Sequence, residues 1–164
     1  MEILDVVNDK DEVIGEASIK EIYEKRLPHR IVHILIFNKK GEMALQFRSK
    51  HKSFCPQHWS TPVGGHVQKG EAAEQAALRE FQEELGVKKK IEFAYKDFYD
   101  GDKNVPKKFL ITFKTKYDGP FKINPEEVEK IEFFSLKKIM RMIKQGEKFH
   151  PELLFLLRKH FNVG

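Results

Sequence analysis

Apolar and polar residues follow one another along the chain in short blocks separated by turn-forming residues. Residues 3–7 and the short run Val13-Ile14-Gly15, on either side of Lys10-Asp11, predict an N-terminal β-hairpin. Ser18 is placed to cap a short helix through Ile19, Ile22 and Tyr23, which ends before Pro28. Residues 31–37 are almost continuously apolar, the pattern of a buried strand. Beyond the turn Asn38-Lys39-Lys40-Gly41, residues 42–48 alternate, with Met43, Leu45 and Phe47 on one face and Ala44, Gln46 and Arg48 on the other. Residues 49–62 read as a long basic and aromatic loop, and loops of that length are often functional. The clearest helix spans 71–85, with Gly86 where a stop belongs. Strands are predicted at 91–99 and 107–117 around the turn Asp100-Gly101-Asp102, with another at 128–134, and helices at 136–144 and 152–161. Strands and helices that do not alternate regularly point to a mixed-sheet α/β (α+β) fold, here expected as one domain over 1–164.

Composition narrows the function classes. The 164 residues carry a formal net charge of +5 and a sequence pI of about 9.1, with both signs interspersed. That balance suits anionic ligands such as phosphates, and no nucleic-acid reader motif is present. Cys55 is the sole cysteine, so neither an intrachain disulfide nor a cysteine zinc cluster can form, which suits a reducing compartment. The N-terminus lacks the basic start and apolar run of a signal peptide, and no stretch approaches the roughly 18 apolar residues of a membrane span. A soluble, cytoplasmic protein is expected.

Candidate chemistry is concentrated between Gly64 and Val87. Glu80, Glu83 and Glu84 are spaced i, i+3, i+4 and share one helix face, while Ala77, Leu78, Phe81 and Leu85 share a neighbouring apolar one. Ala73 and Ala76, one to two turns earlier on the glutamate face, are small enough to leave space beside the carboxylates. Three like charges near a helix C-terminus are unfavourable by themselves, at roughly 0.2–0.5 kcal/mol per pair. A divalent cation would relieve the repulsion, and carboxylate oxygens are suitable ligands for Mg²⁺ or Mn²⁺. Arg79 lies four residues before Glu83 and can pair with it and orient it. Gly64 and Gly65 allow a close backbone approach, and a carbonyl of that pair, assigned to Gly64, offers a further oxygen ligand.

The segment reads Gly65, five residues, Glu71, seven residues, Arg79-Glu80, an apolar residue, any residue, Glu83-Glu84, any residue, Gly86 and an apolar residue. It resembles the signature of the Nudix hydrolases at every fixed position, over the 23 residues Gly65 to Val87. Phe81 stands where the family prefers an aliphatic residue, and it remains apolar. The resemblance implies a mixed β-sheet sandwiched between helices and cleavage of a nucleoside diphosphate linked to another group. It implies Glu80, Glu83 and Glu84 as metal ligands, Arg79 orienting them, Glu71 beginning the helix and fixing the arrangement, and Gly65 and Gly86 as structural glycines. Water would attack phosphorus and a carboxylate would take its proton. A homodimer is also compatible with the family.

The flanking sequence narrows the likeness. Leu27-Pro28-His29-Arg30, residues 46–54 and His58-Trp59-Ser60 resemble the branch that contains type I isopentenyl-diphosphate isomerases. Gly64 stands where those enzymes carry a catalytic cysteine, Lys107-Lys108 where they use a glutamate, and Cys55 falls too early to substitute. The chain therefore reads as a hydrolase of isomerase-like outline, with an isomerase-like enzyme and a non-catalytic nucleotide-binding domain as alternatives. His29 and His66 match histidines that hold a second metal in those isomerases. Here His66, directly after the glycines, is a candidate substrate contact, and His29 is read as structural.

Arg48, Lys50, His51 and Lys52 form a basic stretch suited to phosphate oxygens, with Arg48 favoured for its planar fork. Trp59, Phe98 and Tyr99 are read as core residues or, alternatively, as platforms for a base. Asp97, Asp100, Asp102, Glu126 and Glu127 are candidates for a general base outside the signature. Lys137, Lys138, Arg141 and Lys144 read as a solvated helix face.

Overall fold

The computed structural model describes residues 2–102 and 105–163. Strands β1 (Ile3–Val7) and β2 (Val13–Ser18) form the expected antiparallel hairpin. Its turn is closed by the Asn8 side chain, whose Oδ1 accepts from the Lys10 and Glu12 amides at 2.9 and 3.0 Å. Ser18 Oγ accepts from the Glu21 amide at 3.2 Å and so caps helix α1 (Ile19–Lys25).

A seven-stranded mixed sheet makes the body of the fold. Its strands are β3 (His29–Phe37), β4 (Met43–Arg48), β5 (Trp59–Ser60), β6 (Val63–His66), β7 (Glu92–Tyr99), β8 (Lys108–Lys116) and β9 (Val128–Phe134). The main path runs β5-β4-β3-β8-β7, with β6 beside β3 and β9 beside β4. β3 pairs in parallel with β8 along its whole length. On its other side it pairs with β6 from Ile31 to Ile34, and with β4 only at Phe37↔Met43. β4 and β6 therefore join β3 at different ends, and the space between them is where a cleft can enter the sheet.

Helix α2 (Ala73–Leu85) covers one face, while α3 (Leu136–Lys144) and α4 (Pro151–Phe161) cover the other. The period of two along β3 decides what each helix meets. Val32, Ile34 and Ile36 pack with Ala76, Ala77, Phe81 and Leu85 of α2. Ile31, of opposite parity, packs with Leu110 and with Leu156 of α4. Met43 and Leu45 pack with Trp59, Ile139, Met142, Leu153 and Leu157. The alternation read for residues 43–48 thus separates the two faces: Ala44 joins the α2 cluster, while Gln46 and Arg48 turn to the cleft. Among the described residues, four helices and a mixed sheet make the α+β fold expected from the sequence. Among the described residues no helix is long and apolar enough to cross a membrane.

Several expectations change in detail. The 49–62 stretch is interrupted by β5, whose two residues pair with β4. α2 begins at Ala73 rather than at Glu71, with the Ala72 amide donating to the Gln75 side chain at 2.9 Å. Leu78 is exposed, because the apolar face is narrower than helical spacing implied. Ala76 is fully buried in the cluster between α2 and the sheet, where its small side chain lets the helix approach, so the space beside the carboxylates is not made by it. Trp59, buried against Phe47 and Phe134, anchors its indole N–H on Glu147 at 3.1 Å and is a core residue. Phe98 and Tyr99 pack on Phe109 and Phe155.

Phe81 is the side chain that fixes α2 to the sheet, and it is fully buried. Phe81→Ala is expected to lower unfolding free energy by about 3–5 kcal/mol, from lost transfer energy plus the residual cavity. Urea denaturation measures it, and an unchanged midpoint would contradict this packing.

Candidate active site

A cavity of about 500 Å³ opens where β4 and β6 diverge. One wall is α2 with the β6 glycines, contributing Glu80, Glu83, Glu84, Gly64, Gly65 and His66. Position along α2 determines how each carboxylate meets it. Glu84 is 6% exposed, and its Oε1 accepts from Gln46 Nε2 at 3.0 Å while its Oε2 accepts from the Gly64 amide at 3.3 Å. Glu80 lies one turn earlier, with Oε1 2.8 Å from Arg79 Nη1. Glu83 points to the rim, where its side chain is 56% exposed and Oε2 lies 3.4 Å from Arg79 Nη1.

Gly65 is required here by close approach. A Cβ at this position would lie 2.4 Å from the Glu80 carboxyl carbon, inside any real contact distance. At Gly86 the requirement is conformational: with φ at 66° it ends α2 in the left-handed region, and its amide donates to Gln82 O at 2.9 Å.

Arg79 is the hub of this wall. Its Nε and Nη2 donate to the two Glu71 oxygens at 2.9 and 3.0 Å, and Nη2 also donates to the His66 carbonyl at 3.0 Å. Glu71 therefore does not begin the helix. It precedes it, accepts from the Gln68 amide at 3.0 Å, and ties the turn after β6 to Arg79. The Arg79 bond lowers the Glu71 carboxyl and, with Glu80, raises the guanidinium. The expected Arg79–Glu83 pairing is present, but it is the longest of these contacts.

Glu80 and Glu84 stand one helix turn apart and interact electrostatically at this wall. Burial, first, and then the charge on Glu80 push the Glu84 carboxyl well above the ordinary carboxylate value. Burial also raises Glu80, against the opposing pull of Arg79. A proton on one of these carboxyls, or a cation between them, would relieve their repulsion. Among the described residues no three His, Cys, Asp or Glu side chains are drawn together as a ready-made metal cage, because Glu83 is turned outward.

Arg48, Lys52, Ser53 and Phe54 form a second wall. The Arg48 guanidinium donates to the Phe54 and Cys55 carbonyls at 2.7–3.1 Å and, among the described residues, makes no salt bridge, while burial lowers its pKa. Lys52 is ion-paired with Glu127, and both line the cavity. Lys50 and His51 do not line it. Of the other carboxylates considered as bases, Asp97 is buried against His160 and Lys159 between β7 and α4. Asp100, Asp102 and Glu126 lie off the cavity lining.

The floor holds residues that the sequence did not point to. His33 Nε2 lies 2.8 Å from Glu152 Oε1, and its Nδ1 lies 2.6 Å from Thr61 Oγ1. Lys108 Nζ donates to Glu152 Oε2 at 3.0 Å. Burial alone would raise the Glu152 carboxyl, but Lys108 and His33 outweigh it and hold the group well below its usual range. His33 is a single polar residue inside an apolar run, and Lys108 opens another such run. Those breaks in pattern, and the place of Lys107-Lys108 where the isomerase-like branch uses a glutamate, were the signals for them.

His66 has its Nε2 3.0 Å from the Tyr23 hydroxyl, and burial lowers its pKa. His29 is fully buried below it, with Nδ1 donating to the Leu27 carbonyl at 3.0 Å and Nε2 unpartnered. Burial depresses its pKa to about 3, so the ring is neutral.

A carboxylate-bearing helix packed on a glycine strand of a mixed sheet is the arrangement of a phosphoanhydride-cleaving hydrolase class. The chain belongs to the Nudix hydrolase family: the NUDIX domain model matches residues 27–157. It is 31% identical to an uncharacterized Nudix hydrolase of Listeria monocytogenes, lmo0368, over 99% of this chain and 95% of that one. It is likewise 31% identical to the uncharacterized Nudix hydrolase YfcD of Escherichia coli K12, over 93% and 83%. The crystal structure of DR0079 from Deinococcus radiodurans is similar with a TM-score of 0.83 at 27% identity, covering 96% of this chain and 98% of that chain. The MutT protein of Methanosarcina mazei Go1 is similar with a TM-score of 0.67 at 25% identity, covering 82% and 93%. Members of the family cleave phosphoanhydrides, act on nucleotide-like substrates and generally use divalent metal ions.

Two outcomes follow from this geometry. Gly65→Ala forces its methyl group into Glu80 and is expected to destabilise the fold by about 1–3 kcal/mol, measured by urea denaturation. The second concerns pH. A carboxyl raised in the folded state keeps its proton above 4.5, where the unfolded chain has lost it. Its stabilising contribution is full below 4.5 and disappears as pH rises through the folded value. In chelator, the stability difference between wild type and Glu84→Gln should therefore shift against wild type as pH rises from about 4.5 toward neutrality. A difference independent of pH would contradict the burial of this carboxyl.

Proposed function

We propose that this chain is a Mg²⁺- or Mn²⁺-dependent hydrolase of the diphosphate linkage in a nucleoside diphosphate joined to a second group. The pairing of the Glu80 and Glu84 carboxyls one turn apart, beside Gly65, where a Cβ would lie 2.4 Å from the Glu80 carboxyl carbon, carries this reading. Their all-oxygen chemistry fits a hard divalent ion, which would relieve their repulsion. Glu80, Glu84 and Glu83 would hold it, and the Gly64 carbonyl is a further oxygen at the same wall. When bound, such an ion supplies charge neutralisation at phosphate oxygens and acidifies water.

The protein's own groups do the rest. Arg79 fixes Glu80 through its grip on Glu71 and the His66 carbonyl, so the carboxylate geometry is set before substrate arrives. Gly65 gives Glu80 its space and leaves the strand open to the diphosphate. Arg48 has only neutral acceptors, so its charge is available to phosphate oxygens at the opposite wall. His66 borders the same space as a substrate contact. The proton from attacking water goes to a carboxylate of α2, Glu83 or Glu84. We read residues 1–164 as one domain, working in the reducing cytoplasm to which a lone free thiol at Cys55 is suited.

The test is turnover of a panel of nucleotides and nucleotide-sugar diphosphates with Mg²⁺ or Mn²⁺, reading phosphate or nucleoside monophosphate release. Glu83→Gln and Glu84→Gln are each expected to lower kcat by about 10²-fold or more. Full rates in both variants would overturn the assignment of the metal site.

A further inference from the structure

The floor of the cavity contains a buried charge pair that the proposed hydrolysis does not use. Lys108 is 2% exposed and Glu152 6%, yet both line the cavity, and their charged atoms are 3.0 Å apart. A buried ion pair is generally no more stable than apolar residues of the same shape. The neighbours of Lys108 on β8, Phe109, Leu110 and Ile111, show that the position would accept one. Stability therefore does not explain why a lysine stands there.

Hydrogen-bond capacity points to a ligand. An ammonium has three N–H donors. One goes to Glu152 Oε2. Among the described residues the ammonium makes no other hydrogen bond, and it lies over the rings of Tyr23 and Tyr99, with centroids 6.0 and 5.9 Å away. Donor capacity at the floor of a cavity is thus left for an acceptor brought by the substrate. The sign of the local charge selects which acceptor. Glu152 already cancels the Lys108 charge, and its own carboxylate would repel a phosphate placed beside it. Arg48, with neutral partners only, is the group with charge to spare for phosphate. A neutral oxygen suits the floor better. Two exposed aromatic rings, Tyr23 and Phe54, border the same cavity and offer flat apolar surface to a planar group.

We propose that Lys108 is a specificity residue that reads the carbonyl oxygen of an oxo-base, so that guanine and uracil nucleotides are preferred over adenine nucleotides. Adenine has an amino donor where guanine has a carbonyl, and a donor facing Lys108 leaves both groups unpaired. This inference rests on the nucleotide reading of the cavity given above, and deepens it. Glu152 is a positioning residue: it holds the ammonium at the floor and is itself held by His33.

The experiment compares wild type, Lys108→Met and Lys108→Gln on guanine, uracil and adenine nucleoside diphosphate derivatives, with thermal melts to confirm folding. Wild type is expected to favour the oxo-bases in kcat/KM by tenfold or more. Lys108→Gln, whose amide both donates and accepts, should bring the ratio to within about threefold of unity, with the change in KM rather than kcat. Lys108→Met should lose the guanine and uracil preference without gaining on adenine. An unchanged base ranking in folded Lys108→Gln overturns the proposal, and so does an equal loss on every substrate, the result expected of a phosphate contact or a purely structural role. Binding of the free nucleosides guanosine, uridine and adenosine, followed by NMR shift changes, separates this inference from the hydrolase reading. Oxo-base binding that depends on Lys108 without turnover would sink only the hydrolase reading. Turnover with no base preference would sink only this one.

Discussion

The approach of two carboxyls, the buried Glu84 and the largely covered Glu80, constrains the rest of the molecule. Each group alone would be expensive to bury, and together they repel. The fold contains the strain with specific partners: Gln46 and the Gly64 amide for Glu84, and Arg79 for Glu80. Arg79 in turn is held by Glu71 and the His66 carbonyl, so the turn after β6, the helix and the strand move as one unit. Gly65 belongs to the same constraint, since any side chain there would occupy the place of the Glu80 carboxyl.

The sheet explains why this strain can be maintained. β3 and β8 form a parallel pair covered by Phe81 and Leu85 from one side and by Leu156 from the other. Because β4 and β6 meet β3 at different ends, the cleft enters between strands of the sheet. The two faces of β3 then serve different chemistry. Gly64 and Gly65 bring the α2 carboxylates to the cleft, while His33, opposite Gly64, brings the α4 network of Glu152 and Lys108. The cavity thus has an acidic wall, a cationic wall at Arg48 and a charge-compensated floor, arranged to receive a ligand that is anionic at one part and neutral at another.

How much of this was legible in the sequence depended on the range of the interaction. Hairpin β1–β2, the Ser18 cap, the strand at β3, the alternation in β4 and the Gly86 stop are set by residues within a few positions of one another, and all stand nearly where they were read. The hydrolase family was likewise carried by one continuous segment. Expectations failed where distant chain had to be known. Ala76 looked like free space and is core, because the sheet lies directly against it. Glu71 looked like the first residue of α2 and is instead a partner of Arg79 from the turn before it.

By itself the sequence determined the elements, the family and the three glutamates on one helix face, because periodicity and motif spacing are local properties of a chain. Only the tertiary structure decided that Glu80 and Glu84 turn inward while Glu83 stays at the rim, and that His33, Lys108 and Glu152 meet across 119 and 44 residues of separation. Burial and pairing set the state of those charges, and both are properties of the assembled packing, which no single segment contains.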